Sequence, residues 1–229
     1  MPIELYSLAT PNGQKIAIAL EELNLPYNAH TVDIRKGEQF HPDFLKISPN
    51  NKIPAIVDTE NGNLTLFESG AILQYLAEKA LQQSKQDNNE QHSIPTLIPP
   101  HGTAEYWHCL QWLTWQVAGL GPMMGQLGFF WKYSKEDVPV GKERYLNETK
   151  RLWGVLEKHL AEGSKQYVVG DQYTIADIAI FPWIRLLNTF PEPVLQAIPL
   201  DSYPNIKAYI ERIEQRPAVQ RGLKVTPFV

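Results

Sequence analysis

The sequence predicts an α/β domain followed by an all-helical domain. Three observations carry that prediction. Residues 3–81 alternate short strand-like runs with amphipathic helical patterns, in the order strand, helix, strand, helix, strand, strand, helix. A polar stretch punctuated by Pro95, Pro99 and Pro100 then breaks the pattern. Beyond it the apolar spacing is helical throughout. At 229 residues the chain has room for two small domains. The expected boundaries are 1–81 for the α/β domain, 82–100 for the linker and 101–229 for the helical domain.

In the first domain, residues 3–7 read as a strand with Ile3 and Leu5 on one side. Ala9-Thr10-Pro11-Asn12-Gly13 is a turn into a helix whose Ile16, Ala19, Leu20 and Leu23 share one face. Thr10 or Asn12 can cap that helix, since each has a side-chain oxygen that accepts from a free N–H. Residues 27–33 form the second strand of a βαβ unit, parallel to the first because a helix crosses between them. Gln39 ends a polar loop, and 42–47 is a helical turn. Residues 48–58 open in turn residues and close in an apolar run, so they read as a loop entering a third strand at 54–58. Asn61-Gly62 marks a hairpin, and 64–67 is the returning strand. Ser69 is placed to cap the next helix, which shows Ile72, Tyr75, Leu76 and Lys79 on one face.

In the second domain Tyr106, Leu110, Leu113 and Val117 form a helical stripe, which Gly119 to Gly125, with Pro122 among them, should interrupt. Leu152, Leu156 and Leu160 mark a helix over 143–162. Thr174-Ile175-Ala176-Asp177 resembles a capping box. The run 178–181 is apolar all round, as in a helix buried at a domain centre, and Pro182 should end or kink it. Pro204 suits the first turn of a last helix carrying Ile206, Tyr209, Ile210 and Ile213.

Composition excludes several functions. A net charge of −4 gives no electrostatic reason for a nucleic-acid or anionic-membrane partner. No apolar run approaches membrane-spanning length, and Met1-Pro2-Ile3-Glu4 does not begin a signal peptide, which predicts a cytoplasmic protein. The six histidines lack metal-ligand spacing, so no metal is expected. The single Cys109 lies on an apolar helix and reads as a packing residue. With neither a disulfide nor a CxxC pair available, any thiol chemistry must use a ligand's sulfur.

Pro54 begins a strand, and two structures are open to it. One is an ordinary loop entering the strand. The other is a cis Ile53–Pro54 bond that turns the Ile53 backbone toward an extended, peptide-like ligand. Helix N-termini near Thr10–Asn12 and at Ser69 would favour anions beside it. Ser69 offers a site for a carboxylate, Glu68 for an ammonium group and Lys52 for a second carboxylate. Thr10 and the Asn12 amide could donate to a sulfur and favour its thiolate. Each residue also has a plain reading: a cap for Ser69 and solvated surface charge for Lys52 and Glu68. Met123, Met124, Phe129, Phe130 and Trp131 suit an apolar second-substrate site, core packing or a dimer contact equally.

Thr10-Pro11-Asn12-Gly13, Gln39-Phe40, residues 48–55 and Phe67-Glu68-Ser69-Gly70-Ala71-Ile72-Leu73 resemble glutathione transferases, and within them the nu class. The segments 115–123, 143–145, 173–179 and 216–219 continue the resemblance, which spans nearly the whole chain apart from 82–100. It implies a thioredoxin-like first domain, an all-helical second domain and a homodimer. It implies that Pro54 is cis, that Gln39, Lys52, Ile53, Glu68 and Ser69 bind glutathione, and that Thr10 and Asn12 stand near its sulfur. Arg144 matches a residue that reaches a second glutathione, from its own subunit or its partner. Tyr6 lies within the first strand and reads as core. The implied activity is glutathione-dependent thiol–disulfide exchange, with two glutathiones or their disulfide bound side by side. The alternatives are conjugation of electrophiles and a non-enzymatic, glutathione-binding regulator.

Overall fold

A computed structural model describes residues 2–86, 96–163 and 165–228. Two compact units emerge: one of residues 1–99 together with 215–229, the other of residues 100–214.

In the first unit a four-stranded sheet has the order β2-β1-β3-β4, with β1 Ile3–Ser7, β2 Tyr27–Thr31, β3 Ala55–Asp58 and β4 Leu64–Phe67. β1 and β2 are parallel, joined by helix α1 (Pro11–Glu22), and β3 and β4 run antiparallel to their neighbours. This is the thioredoxin-like arrangement. Tyr6 pairs with Ala55, Ala55 with Phe67, and Ser7 with Thr31. The β1–α1 turn, the loop before β3, the turn after β4 and the chain leaving β2 therefore all emerge at one end of the sheet.

Short elements follow: a 3-10 turn at Glu38–Phe40, α2 at Pro42–Ile47, and α3 at Ser69–Gln86. Ile3 and Leu5 are buried as the alternation predicts. Helix α3 runs five residues past the expected boundary at 81, because Gln, Ser and Lys are compatible with a helix. The part of the expected linker at 87–95 lies outside the described residues.

The C-terminal segment 215–229, expected in the helical domain, groups instead with the first unit. Its helix α10 (Pro217–Gly222) packs on α1, where a Cβ on Gly222 would stand 2.7 Å from the Ile18 backbone. Arg216 pairs with Glu22 and Arg221 with Glu21, and the Ala9 N–H donates to the Thr226 C=O over 2.8 Å.

The second unit is helical: α4 Ala104–Trp115, α5 Gly121–Gly128, α6 Pro139–Ala161, α7 Ile175–Arg185, α8 Glu192–Ala197 and α9 Pro204–Glu214. The expected interruption at 119–125 does not occur. A π-helical stretch at Gln116–Leu120 leads into α5, which takes up Pro122 as its second residue. The buried stripe here is Tyr106, Cys109, Leu113, Gln116 and Leu120, rotated from the predicted one. Helix α7 is buried from Ile175 to Ile184 and continues through Pro182, since packing on all sides holds it where propensity alone would end it. Its capping box forms: the Asp177 carboxylate accepts from the Thr174 N–H at 2.8 Å and also from the Val168 N–H and the Tyr209 hydroxyl. Pro204 opens α9. Cys109 is buried, and desolvation pushes its thiol up to about 11. No helix is long and apolar enough to cross a membrane, and no cluster that could hold a metal is found among the described residues.

Candidate glutathione site

The loops at the common end of the sheet carry eight of the nine residues singled out from the sequence. Thr10 is the N-cap of α1: its Oγ accepts from the Gly13 N–H at 3.2 Å and donates to the Leu8 C=O at 3.5 Å, a long and weak contact. The turn is so tight that a Cβ on Gly13 would lie 1.9 Å from the Leu8 carbonyl oxygen. Pro11 and Asn12 follow as the first helical residues, so Asn12 does not cap.

The Ile53–Pro54 bond is cis. Among the described residues no protein group pairs with the Ile53 N–H or C=O. The Ser48 hydroxyl holds the loop by donating to the Lys52 C=O at 2.8 Å, and Lys52 itself is exposed. Asn51 and Glu68 both have positive φ, 49° and 71°, a conformation that non-glycine residues adopt at some expense in energy and that clusters at ligand sites. The Asn50 amide donates to the Glu68 carboxylate over 3.4 Å, which ties the loop before β3 to the turn after β4.

At that turn the structure corrects one expectation. Glu68, not Ser69, occupies the cap position of α3: its C=O accepts the helix's i→i−4 bond from Ile72. Ser69 is the first helical residue, and its Oγ accepts at 3.1 Å from the ammonium of Lys15 on α1. Lys15 is 1% exposed. Desolvation lowers its pKa to about 7, while the Glu68 charge acts in the opposite direction. The sequence reading missed Lys15. Its signal was a charged residue at i−3 and i−4 to the buried Ile18 and Ala19, on a helix whose burial extends beyond the single predicted stripe.

Gln39 lies in the 3-10 turn after Gly37, and its Oε1 is buried without a hydrogen-bond partner. Such orphaned atoms are rare in native structures and point to an absent ligand or water. Tyr6 stacks on His30 at 4.7 Å and packs against Val32, Phe44 and Ala55, in keeping with a packing role.

In the second unit Arg144 on α6 is exposed and lines a cleft of about 680 Å³ with Met123, Val140, Glu143, Tyr145, Asn147, Glu148 and Arg151. Arg151 is engaged by Glu148 at 2.7 Å, whereas Arg144 forms no ion pair among the described residues. Of the candidate apolar lining, Met124 is core, Phe130 stacks on Tyr145, Phe129 is exposed, and Met123 reaches the cleft.

The first unit is thus a thioredoxin-like domain presenting unpaired backbone, an orphaned amide oxygen and a helix N-terminus at one end of its sheet. Residues 1–78 match the family model of the glutathione S-transferase N-terminal domain, and residues 121–217 that of the C-terminal domain. The chain belongs to the glutathione S-transferase family. It is 46% identical to the disulfide-bond oxidoreductase YfcG of Escherichia coli (strain K12), over 96% of this chain and 94% of that protein. A glutathione transferase family member from Pseudomonas fluorescens pf-5, solved with two glutathione bound, superposes with a TM-score of 0.84 at 45% identity, covering 97% of this chain and 92% of that one. A glutathione transferase from Pseudomonas putida, solved with one glutathione disulfide per subunit, gives 0.83 at 43%, covering 97% and 91%.

Proposed function

We propose that this protein is a cytosolic, homodimeric, glutathione-dependent disulfide reductase with weak transferase activity. The observation that carries the reading is the buried Cys109. The only thiol of the chain is inaccessible and held protonated, so a redox reaction must run on thiols that the protein binds. The similarity to a disulfide-bond oxidoreductase and to proteins holding two glutathiones or their disulfide favours this reading over conjugation.

In the proposed reaction, the Ile53 N–H and C=O pair with the cysteinyl part of glutathione, as a strand edge would. Ser69 and the first N–H groups of α3 take the γ-glutamyl carboxylate and Glu68 the adjacent ammonium group. Gln39 and Lys52 take the remaining polar groups. Thr10 and Asn12 donate to the sulfur and favour its thiolate. Arg144 anchors a carboxylate of the second glutathione. One thiolate attacks a sulfur of the substrate R–S–S–R, forming GS–SR and expelling RS⁻. The second thiolate attacks the glutathione sulfur of GS–SR, forming GSSG and expelling the other RS⁻. Two glutathione thiols are oxidised to one disulfide, the substrate is reduced to two thiols, and the two glutathione protons end on the released thiolates. The protein contributes orientation and thiolate stabilisation.

The test compares steady-state reduction of a small model disulfide with conjugation to an aryl halide, both with glutathione. Fast reduction with feeble conjugation is expected. The reverse result supports a conventional transferase. Binding of glutathione with neither activity supports a regulator.

A further inference from the structure

Behind Ser69 lies a buried ammonium, that of Lys15 on α1, 3.1 Å from the Ser69 Oγ. Lys15 carries three donors and no acceptor when charged. Its bond to the Ser69 Oγ therefore has one polarity: the ammonium donates and the hydroxyl oxygen accepts. The Ser69 proton is then free to be donated elsewhere. The N–H groups of Ser69, Gly70 and Ala71 precede the i→i−4 bond from Ile72, so an anion here meets helix N–H groups and a hydroxyl whose proton points toward it. The buried ammonium lies beside the start of a helix, where the Glu68 carboxylate already acts on it and an arriving carboxylate would add to that attraction.

We propose that Lys15 is a positioning residue for the γ-glutamyl carboxylate of glutathione, acting through Ser69: its buried ammonium directs the Ser69 hydroxyl proton outward. This rests on the glutathione reading above. Lys15 touches Ser69, not the ligand. Loss of its proton turns the nitrogen into an acceptor that competes for the same Ser69 hydroxyl proton, so carboxylate binding and protonation of Lys15 are coupled. The charged groups around it define that coupling. Helix α1 packs on α3 and α10. From the start of α3, Glu68 acts directly on Lys15. Farther along α3, Lys79 is held by Asp58 and Glu60, and beside α10 Arg216 and Arg221 are taken up by Glu22 and Glu21, about two turns further along α1.

The experiment is calorimetric titration of the full chain with S-methylglutathione, which has no thiol to titrate. Binding by the native protein should weaken about tenfold between pH 5.5 and pH 8, as Lys15 loses its proton. Lys15→Met should weaken binding about tenfold at pH 5.5 and remove the pH dependence, whereas Lys15→Arg should keep the affinity and flatten the profile. In the Ser69→Ala background, Lys15→Met should have no further effect. A native profile that is flat over this range, or additive effects of the two substitutions, overturns the proposal. Should Lys15→Met not fold, the native profile decides. No binding by the native protein at any pH refutes the glutathione reading itself. Firm binding that ignores both pH and Lys15 refutes only the role given to Lys15.

Discussion

Replacing Lys15 by Met should make the ligand-free protein more stable, and most so at neutral and acidic pH. Lys15 is 1% exposed, and burial lowers its pKa from 10.5 to about 7. At about 1.4 kcal/mol per tenfold change in proton affinity, that fall sets a ceiling of about 5 kcal/mol on the destabilisation. Methionine follows much the same path with no charge, but it forfeits the ammonium's polar contacts, the bond to Ser69 among them, at about 1 kcal/mol each. A net gain of roughly 2 kcal/mol is expected after further allowance for residual hydration of the ammonium. The pH dependence has a definite sign. Below pH 7 the lysine is charged in both the folded and the unfolded chain, so the full penalty is present. Between pH 7 and 10.5 the unfolded chain binds the extra proton, and native stability rises with pH. The advantage of Lys15→Met should therefore be largest at pH 6 and shrink steadily toward pH 10. Urea unfolding midpoints at pH 6, 7.5 and 9, with unchanged slopes, measure this. A variant less stable than the native chain at pH 6, or an advantage independent of pH, would show that the buried charge is already compensated and would refute the reasoning.

Two further substitutions test the proposed chemistry. Asn12→Ala should lower kcat for disulfide reduction by about tenfold or more while changing glutathione affinity less than threefold, because the amide is assigned to the sulfur and not to the tripeptide backbone; unchanged turnover removes Asn12 from the mechanism. Arg144→Ala should leave the first glutathione's affinity unchanged and weaken the second by about tenfold or more, the worth of one charged hydrogen-bonding partner; calorimetry that still resolves two sites of native affinity ends the assignment.

Much of the first unit was legible because its signals are local. Asn61-Gly62 between two alternating runs sets the β3–β4 hairpin, and the helix between β1 and β2 enforces their parallel pairing. The second unit was less legible where neighbours decide. Gly119 to Gly125 contains every residue expected to stop a helix, yet the chain absorbs them in a π-helical stretch with Pro122 in the following first turn. Pro182 persists inside α7 because the surrounding core holds it. The docking of 215–229 on α1 depends on Gly222 fitting against Ile18 and on ion pairs between residues about two hundred positions apart, for which no short-range pattern exists. In the site, Thr10, Asn12, Lys52, Ile53, Pro54, Glu68 and Ser69 stand at turns and helix starts that the sequence marks. Gln39 and Arg144 stand at positions with no such mark and came from family resemblance alone.

The features at one end of the sheet share a thermodynamic character. Glu68 and Asn51 hold positive φ, the Gln39 oxygen and the Ile53 backbone have no partner among the described residues, and Lys15 places an ammonium in a buried position. Each costs free energy in the free protein, and in the proposed complex a zwitterionic peptide would offset that cost by supplying a carboxylate, an ammonium group and a backbone edge. The Asp177 network of the second unit differs in its hydrogen bonding: the buried carboxylate, its pKa pushed up to about 6 by desolvation, accepts from the Val168 and Thr174 backbone and from Tyr209 within the fold. One polar cluster has its hydrogen-bond partners within the fold, and the other leaves groups to be met by a ligand. A protein under pressure only to be stable would have no reason to keep the second, so the incomplete cluster is where binding free energy should be concentrated. Glutathione at a hundred times its dissociation constant would return about 2.7 kcal/mol of stability, comparable with the roughly 2 kcal/mol assigned to Lys15.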